Sequence, residues 1–200
     1  MPGSPPVHTV QAMPALPLIH PRRALGAAAA RPSLPAGIVA VVATGLLCLA
    51  FELGAVAVGG AGSAALILSV AVPLMLLVFW LASGMLVSAG ARLMGHAPQR
   101  RTLFAVSGLT FPVLVLYAVI AIVQAVSPRW GGDALSTAVG LLALPVVFWF
   151  VALNAVAVRA VYDMTALNAV AIALIPYAML SAALLLLVIV LSVLHAVGLV

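Results

Sequence analysis

The sequence predicts an all-α integral membrane protein, a bundle of about five transmembrane helices. Two observations indicate lipid as the solvent: 66% of the residues are hydrophobic and 6% are charged, whereas about a quarter of the residues in a soluble domain are charged. The third observation is the continuity of the apolar runs. Strands of a membrane β-barrel alternate apolar and polar residues over about ten positions, so the much longer uninterrupted runs here favour helices.

Residues 1–33 are predicted to form a disordered, proline-rich cytoplasmic tail. Half of the 14 prolines fall in this segment, and such a density blocks regular helix while supplying nothing for a core. The apolar run that follows exceeds the usual signal-peptide length of about 7–15 residues. We therefore interpret the first span as an uncleaved signal anchor, although the glycine-rich residues 59–62 leave cleavage open.

The remaining residues, 34–200, are predicted to form one transmembrane domain with five spans. Each apolar run reaches the roughly 20 residues that a crossing needs. Turn signals separate the runs: glycines at 59–63, a basic loop at 92–101, a polar loop at 127–133 and a short connection at 159–165. The last run is long and is interpreted as one tilted or kinked helix. The predicted spans are about 34–58, 64–89, 103–126, 134–158 and 166–197.

The arginines predict the orientation of the chain, because connections on the cytoplasmic side carry an excess of basic residues. The chain contains no lysine, and its net charge of +5 arises from eight arginines and three acids. With the amino terminus inside, only Arg129 lies in an outer connection. The seven inner arginines are Arg22, Arg23, Arg31, Arg92, Arg100, Arg101 and Arg159. We therefore predict the amino terminus inside and the carboxyl terminus outside.

Four prolines fall near the middle of spans two to five. Proline lacks the backbone N–H and clashes with the preceding turn, so each is expected to kink its helix. Neighbouring helices or waters then satisfy the freed carbonyls. The predicted kink positions are Pro73, Pro112, Pro145 and Pro176.

Polar residues inside apolar runs provide the candidate sites, because an ionisable group in a span suggests a function. Glu52, Gln124 and His195 are predicted at similar outer depths, where they either form a polar cluster or remain separate interfacial side chains. Asn154 and Asn168 lie at nearly matched distances from a loop centred near Val161. They are expected to bond across that hairpin, as structural contacts worth about 0.6 kcal/mol rather than as a ligand site.

No catalytic or cofactor-binding arrangement is visible in the sequence. No His, Cys, Asp and Glu residues have metal-ligand spacing, and no Ser, His and acid are placed together by a local spacing. The glycine-rich residues 59–62 lack the lysine of a phosphate-binding loop. We therefore predict a protein that is not an enzyme and uses no metal or other cofactor. The arginines form no patch typical of nucleic-acid binding.

Three stretches carry a resemblance to the Yip domain family, polytopic membrane proteins named for binding Ypt/Rab GTPases. They are ARLMG at residues 91–95, TLFAVSG at 102–108 leading to Phe111-Pro112, and RAVYDMTA at 159–166 followed by Asn168 and Pro176. The resemblance implies five spans, an inside tail and a non-enzymatic role in membrane organisation. The tail lacks the Asp-Leu-Tyr-Gly-Pro type signature of eukaryotic members and contains no acidic residue. The chain therefore resembles the small prokaryotic members.

The leading functional prediction is a membrane scaffold or interaction protein in the cell membrane. Its expected partners are other membrane proteins or copies of itself, together with anionic headgroups at the arginine-rich inner face. The alternative is a small transporter or channel component, suggested by the four prolines and by a loosely repeated order of residues in 63–112 and 136–176.

The predicted orientation can be tested with single cysteines in a Cys48→Ser background. A membrane-impermeant maleimide should label Asp133→Cys in intact cells, and should label Ser4→Cys and Gln99→Cys only after permeabilisation. Labelling of Ser4→Cys and Gln99→Cys from opposite sides would contradict the positive-inside assignment.

Overall fold

The computed structural model describes residues 19–59 and 63–196, and over those residues it is helical with no β-strand. This confirms the predicted helical membrane bundle. Residues 1–18, residues 60–62, where a turn was predicted, and residues 197–200 lie outside the described part. The helices are α1 Pro21–Ala30, α2 Leu34–Gly59, α3 Ser63–Leu93, α4 Arg100–Gly108, α5 Leu114–Val126, α6 Pro128–Leu141, α7 Ala143–Tyr162 and α8 Ala166–Ala196, with a 3₁₀ turn at Phe111–Val113.

Five segments of the described chain are long and apolar enough to cross a membrane, as predicted. The first, second and fifth spans coincide with single helices, α2, α3 and α8. The third and fourth are composite, since α4 continues through the 3₁₀ turn into α5 and α6 continues into α7. The five segments are Leu34–Ala57, Ser69–Leu93, Arg100–Val126, Gly131–Tyr162 and Ala166–His195.

The four prolines divide into two pairs with different effects. Helix α4 ends at Gly108, four residues before Pro112, and α6 ends at Leu141, four residues before Pro145. A proline cannot donate to the carbonyl four residues earlier and its ring clashes with it, which explains both ends. By contrast, α3 and α8 continue through Pro73 and Pro176, and a bend at these two residues stays a prediction.

The polar connection predicted at 127–133 is mostly helical, which corrects the sequence assignment. Pro128 occupies the first turn of α6, a position where proline is favoured because no N–H is needed there. Gly132 then adopts φ 66° and ψ −165°, which interrupts the helix. The helix is therefore interrupted at Gly132 alone, in place of the longer turn predicted there. Glycine adopts positive φ without steric cost.

The amino-terminal segment requires a second correction, because residues 21–30 form α1 rather than part of a disordered tail. Pro21 begins the helix, where it is tolerated, and the run to Ala30 is rich in alanine, the strongest helix former. Leu25 is fully buried, while Arg22 and Arg23 are exposed. The proline count overlooked this amphipathic helix, whereas the first span begins at Leu34 as predicted.

Glycines bring the helix backbones into direct contact at the centre of the bundle. A Cβ atom at Gly108 would lie 2.5 Å from the carbonyl oxygen of Gly37, and one at Gly37 would lie 2.9 Å from that of Ala105. Helix α2 therefore crosses α4 with no side chain between them, as small residues permit in membrane bundles. Helix α2 also packs against α3 and α5. The crossing with α4 therefore positions the helix that contacts most of its neighbours in the bundle.

Buried residues form two clusters, one at each level of the bundle. The cluster near α1 surrounds Leu25 with residues of α3, α4, α7 and α8, including Ile172. The deeper cluster contains Trp80, Phe111 and Phe150 together with Val41 of α2. Aromatic edges fill this second layer, with Phe111 and Phe150 in T-shaped contact at 5.2 Å, a favourable geometry for ring pairs.

Gly108→Ala should destabilise the bundle by about 1–3 kcal/mol, because the new methyl group meets backbone that cannot move aside. The free energy of unfolding in mixed micelles is the measurement. Gly54→Ala is the matched control, since a Cβ there meets only Ile122 Cδ1 at 3.7 Å. Equal stability of the two variants would contradict the backbone contact.

Candidate functional site

One end of the bundle, here called the α1 end, carries eight of the eleven charged residues. It is formed by α1, the connection at 94–99 and the turn between α7 and α8. Seven of the eight arginines lie there, with Arg129 at the opposite end. Asp163 is the one acidic residue at the α1 end of the described chain. The positive charge of the described chain is therefore concentrated at this end.

A cavity of about 500 Å³ opens at the α1 end between α1, α7 and α8. Arg22, Arg159 and Asp163 line its charged part. Asp163 adopts a left-handed conformation with φ 47° and ends α7. Because Asp163 lies outside the helix, the i,i+4 geometry that would pair it with Arg159 is lost, and the structure shows no ion pair between these two described residues.

A polar network links three spans at the centre of the bundle. The indole N–H of Trp80 donates to Ser107 Oγ at 3.1 Å. Thr110 Oγ1 donates to the Ser107 carbonyl at 2.7 Å and lies 3.4 Å from Asn154 Oδ1. Asn154 Nδ2 donates to the Phe150 carbonyl at 2.9 Å. The network thus satisfies buried polar groups where α3, the third span and α7 meet, as burial in apolar surroundings requires.

A small cavity of about 20 Å³ adjoins this network and is lined by Ser83, Ser107, Asn154 and Tyr177, among others. A water molecule needs at least about 10–15 Å³ of such volume, so the cavity has room for about one. Its size does not favour the transporter or channel alternative, which stays a prediction.

Comparison with known proteins identifies the family of this chain. A profile of the Yip1 domain matches residues 16–194. The chain belongs to the Yip1 domain family. No curated protein and no solved structure gives a significant match. The resemblance found in three short stretches is therefore confirmed over nearly the whole chain.

The Yip1 domain begins before α1, at residue 16. This start agrees with the packing of Leu25 into the core near α1. Helix α1 is therefore part of the folded domain, and the five apolar spans make the chain a multi-pass membrane protein of the Yip1 family.

The predicted bond between Asn154 and Asn168 is not formed in the Yip1 domain. The turn between α7 and α8 lies at 163–165, several residues beyond the predicted centre at Val161, and the two asparagines consequently sit at different depths. Asn154 contacts Thr110 instead. The backbone N–H of Asn168 donates to Thr165 Oγ1 at 3.4 Å, a helix-capping contact at the start of α8.

Glu52 and Gln124 lie on helices that pack together, α2 and α5. The register places Gly54 beside Ile122, so Gln124 lies about one turn farther along the bundle than Glu52. Gln124 packs against α6, where a Cβ at Gly140 would meet its Nε2 at 2.8 Å. His195 is exposed near the end of α8, whose main contacts are with α3 and α7. A cluster of all three side chains stays a prediction.

Sequence reasoning missed Trp80, Ser107 and Thr110 as members of the polar network. The sequence held a usable signal, because Ser107 and Thr110 are hydroxyl residues within an apolar span. The structure shows that both are buried. Tyr162 was also missed as a buried polar residue. Its hydroxyl is buried without a hydrogen-bond partner, and its ring makes an edge contact with His96, with the ring centroids 6.1 Å apart. Among the described residues, no three His, Cys, Asp or Glu side chains are grouped to hold a metal.

The Trp80–Ser107 bond can be measured with a double-mutant cycle of Trp80→Phe and Ser107→Ala. We expect a coupling energy of roughly 0.6 kcal/mol, and at most about 1.7, in the free energy of unfolding. Ser83→Ala with Trp80→Phe is the control cycle, because Ser83 Oγ donates to the Trp80 backbone carbonyl. Additive effects in the first cycle would contradict the bond.

Proposed function

We propose that this Yip1 domain protein is a non-enzymatic membrane scaffold, which binds other membrane proteins or further copies of itself within the bilayer. The observation that supports this proposal is the exposure of the carboxyl-terminal half of α8, beyond Pro176. Helix α8 packs on the bundle through Ala169, Ile172 and Ala173, which are all buried. Residues 178–193 are exposed on every side of the helix.

This exposed part of α8 is apolar and makes up most of the fifth span, Ala166–His195. From Pro176 to His195 it extends about 28 Å at 1.5 Å per residue. Ala178 and Ala182 have the small-xxx-small spacing that permits close helix contact. Helix–helix association in lipid depends on such packing, and this helix has a full circumference available for a partner.

The family supports the non-enzymatic assignment, since Yip1 domain proteins are a membrane-protein family not known for enzymatic activity. The central polar side chains also bond mostly to each other or to backbone carbonyls. We further propose that the α1 end faces the cytoplasm and contacts anionic headgroups of the cell membrane through its arginines.

Site-specific photo-crosslinking in native membranes tests the scaffold proposal. A photoreactive residue at Leu186, which is 62% exposed, should give a protein adduct of fixed mass. The same residue at Leu46 on α2, which is 56% exposed, is the control and should give lipid adducts alone. The full chain should also purify from mild detergent with a stoichiometric partner or as an oligomer.

A lone monomer in mild detergent, together with lipid adducts alone at Leu186, would overturn the scaffold proposal. Protein adducts of equal yield at both positions would count against α8 as the association surface, since nonspecific crowding explains them.

A further inference from the structure

The cavity between α1, α7 and α8, called here the α1 groove, has two chemically different parts. Its mouth carries the guanidinium groups of Arg22 and Arg159 beside Asp163, so its lining has a net charge of +1. Its inner part is lined by small apolar residues of α7 and α8, among them Ala152, Val156 and Val170. At about 500 Å³ the groove falls within the size range of ligand-binding cavities.

The groove runs along α7 from the surface towards the centre of the membrane. Ala152 precedes Arg159 by seven residues, a separation of about 10 Å along the helix. The apolar wall therefore lies at a depth where acyl chains are found, while the arginines lie at the end of the span. Ala152 and Val170 are exposed, which leaves the apolar part open to the side of the bundle.

Neither guanidinium is neutralised within the described chain. Asp163 is the nearest acid in sequence, and no ion pair joins it to Arg22 or Arg159 among the described residues. Arginine binds phosphate through paired N–H groups, which makes it well suited to a phosphodiester. Two unpaired arginines above an apolar wall thus match a molecule with an anionic head and an apolar tail.

We infer that the α1 groove binds one anionic phospholipid, with the phosphate at Arg22 and Arg159 and an acyl chain along Ala152 and Val156. Basic pockets between transmembrane helices on the cytoplasmic side hold anionic lipid headgroups in this way. The site is independent of the scaffold proposal, because it lies at the opposite end of α8 from the exposed residues 178–193.

Helix α1 forms one wall of the groove. Leu25 anchors α1 in the core, while Arg22 and Gly26 face the groove. A Cβ at Gly26 would meet nothing within 4 Å. A larger side chain at Gly26 would therefore extend into the groove from the face of α1 that also carries Arg22.

Native mass spectrometry of the full chain in mild detergent provides the test, with phosphatidylglycerol as the probe. We expect one saturable lipid, bound in preference to zwitterionic phosphatidylcholine. Arg22→Gln together with Arg159→Gln should weaken binding by about tenfold or more, since each removes a charge-assisted hydrogen bond. Arg23→Gln is the matched control, because Arg23 is an exposed neighbour that does not line the groove, and it should retain the lipid.

Gly26→Leu keeps the test decisive even where the arginine variant folds poorly. Leucine raises helix propensity over glycine, so α1 should persist, yet lipid binding should fall by about tenfold because the side chain fills the acyl path. Circular dichroism and gel filtration check the fold of each variant.

Three results would overturn the inference. Equal loss in Arg23→Gln would show diffuse surface charge rather than a site. Unchanged lipid binding in Gly26→Leu would show that the groove does not hold the acyl chain. Displacement of the lipid by inorganic phosphate at equal concentration would show an anion site that needs no amphiphile.

Discussion

The crossing of α2 over α4 at Gly37 and Gly108 is the contact on which the bundle depends. Lipid is as apolar as a leucine side chain, so burial supplies little force between helices and close packing must supply it. Backbone contact at these two glycines maximises that packing. Gly45 makes a similar backbone contact with Pro73 of α3, where a Cβ atom on Gly45 would lie 2.9 Å from the proline Cα. Glycine is thus the residue that positions α2 against its neighbours.

The same crossing explains why polar groups gather at the centre. Helix α4 stops at Gly108 because Pro112 follows, and the 3₁₀ turn then redirects the third span. Ser107 and Thr110 lie at this break, where the Thr110 hydroxyl and backbone N–H both reach the Ser107 carbonyl. Carbonyls near a proline break need such partners in a membrane. Trp80 and Asn154 extend the network, so the break also connects α3 with α7.

The two ends of the molecule have different chemistry. At the α1 end, the amphipathic α1 inserts Leu25 among α3, α4, α7 and α8, and the arginines surround it. Helix α1 therefore closes the core at the charged end of the bundle. At the other end, α8 leaves the bundle after Tyr177, whose ring still packs against Phe79 and Phe150, and residues 178–193 expose an apolar surface. The charged end carries the proposed lipid site, and the exposed end of α8 carries the proposed surface for helix association.

The sequence by itself determined the helical class and the number of spans, because hydropathy depends on the local run of residues and needs no knowledge of neighbours. Three short stretches of sequence carried the resemblance to the Yip family. The sequence also located the prolines, but only the structure showed that Pro112 and Pro145 end helices whereas α3 and α8 continue through Pro73 and Pro176. The folding of residues 21–30, the partner of Asn154 and the α1 groove were decided by tertiary structure. Each depends on which helix faces meet, and this is set by glycine contacts and by the position of the turn at 163–165, not by composition.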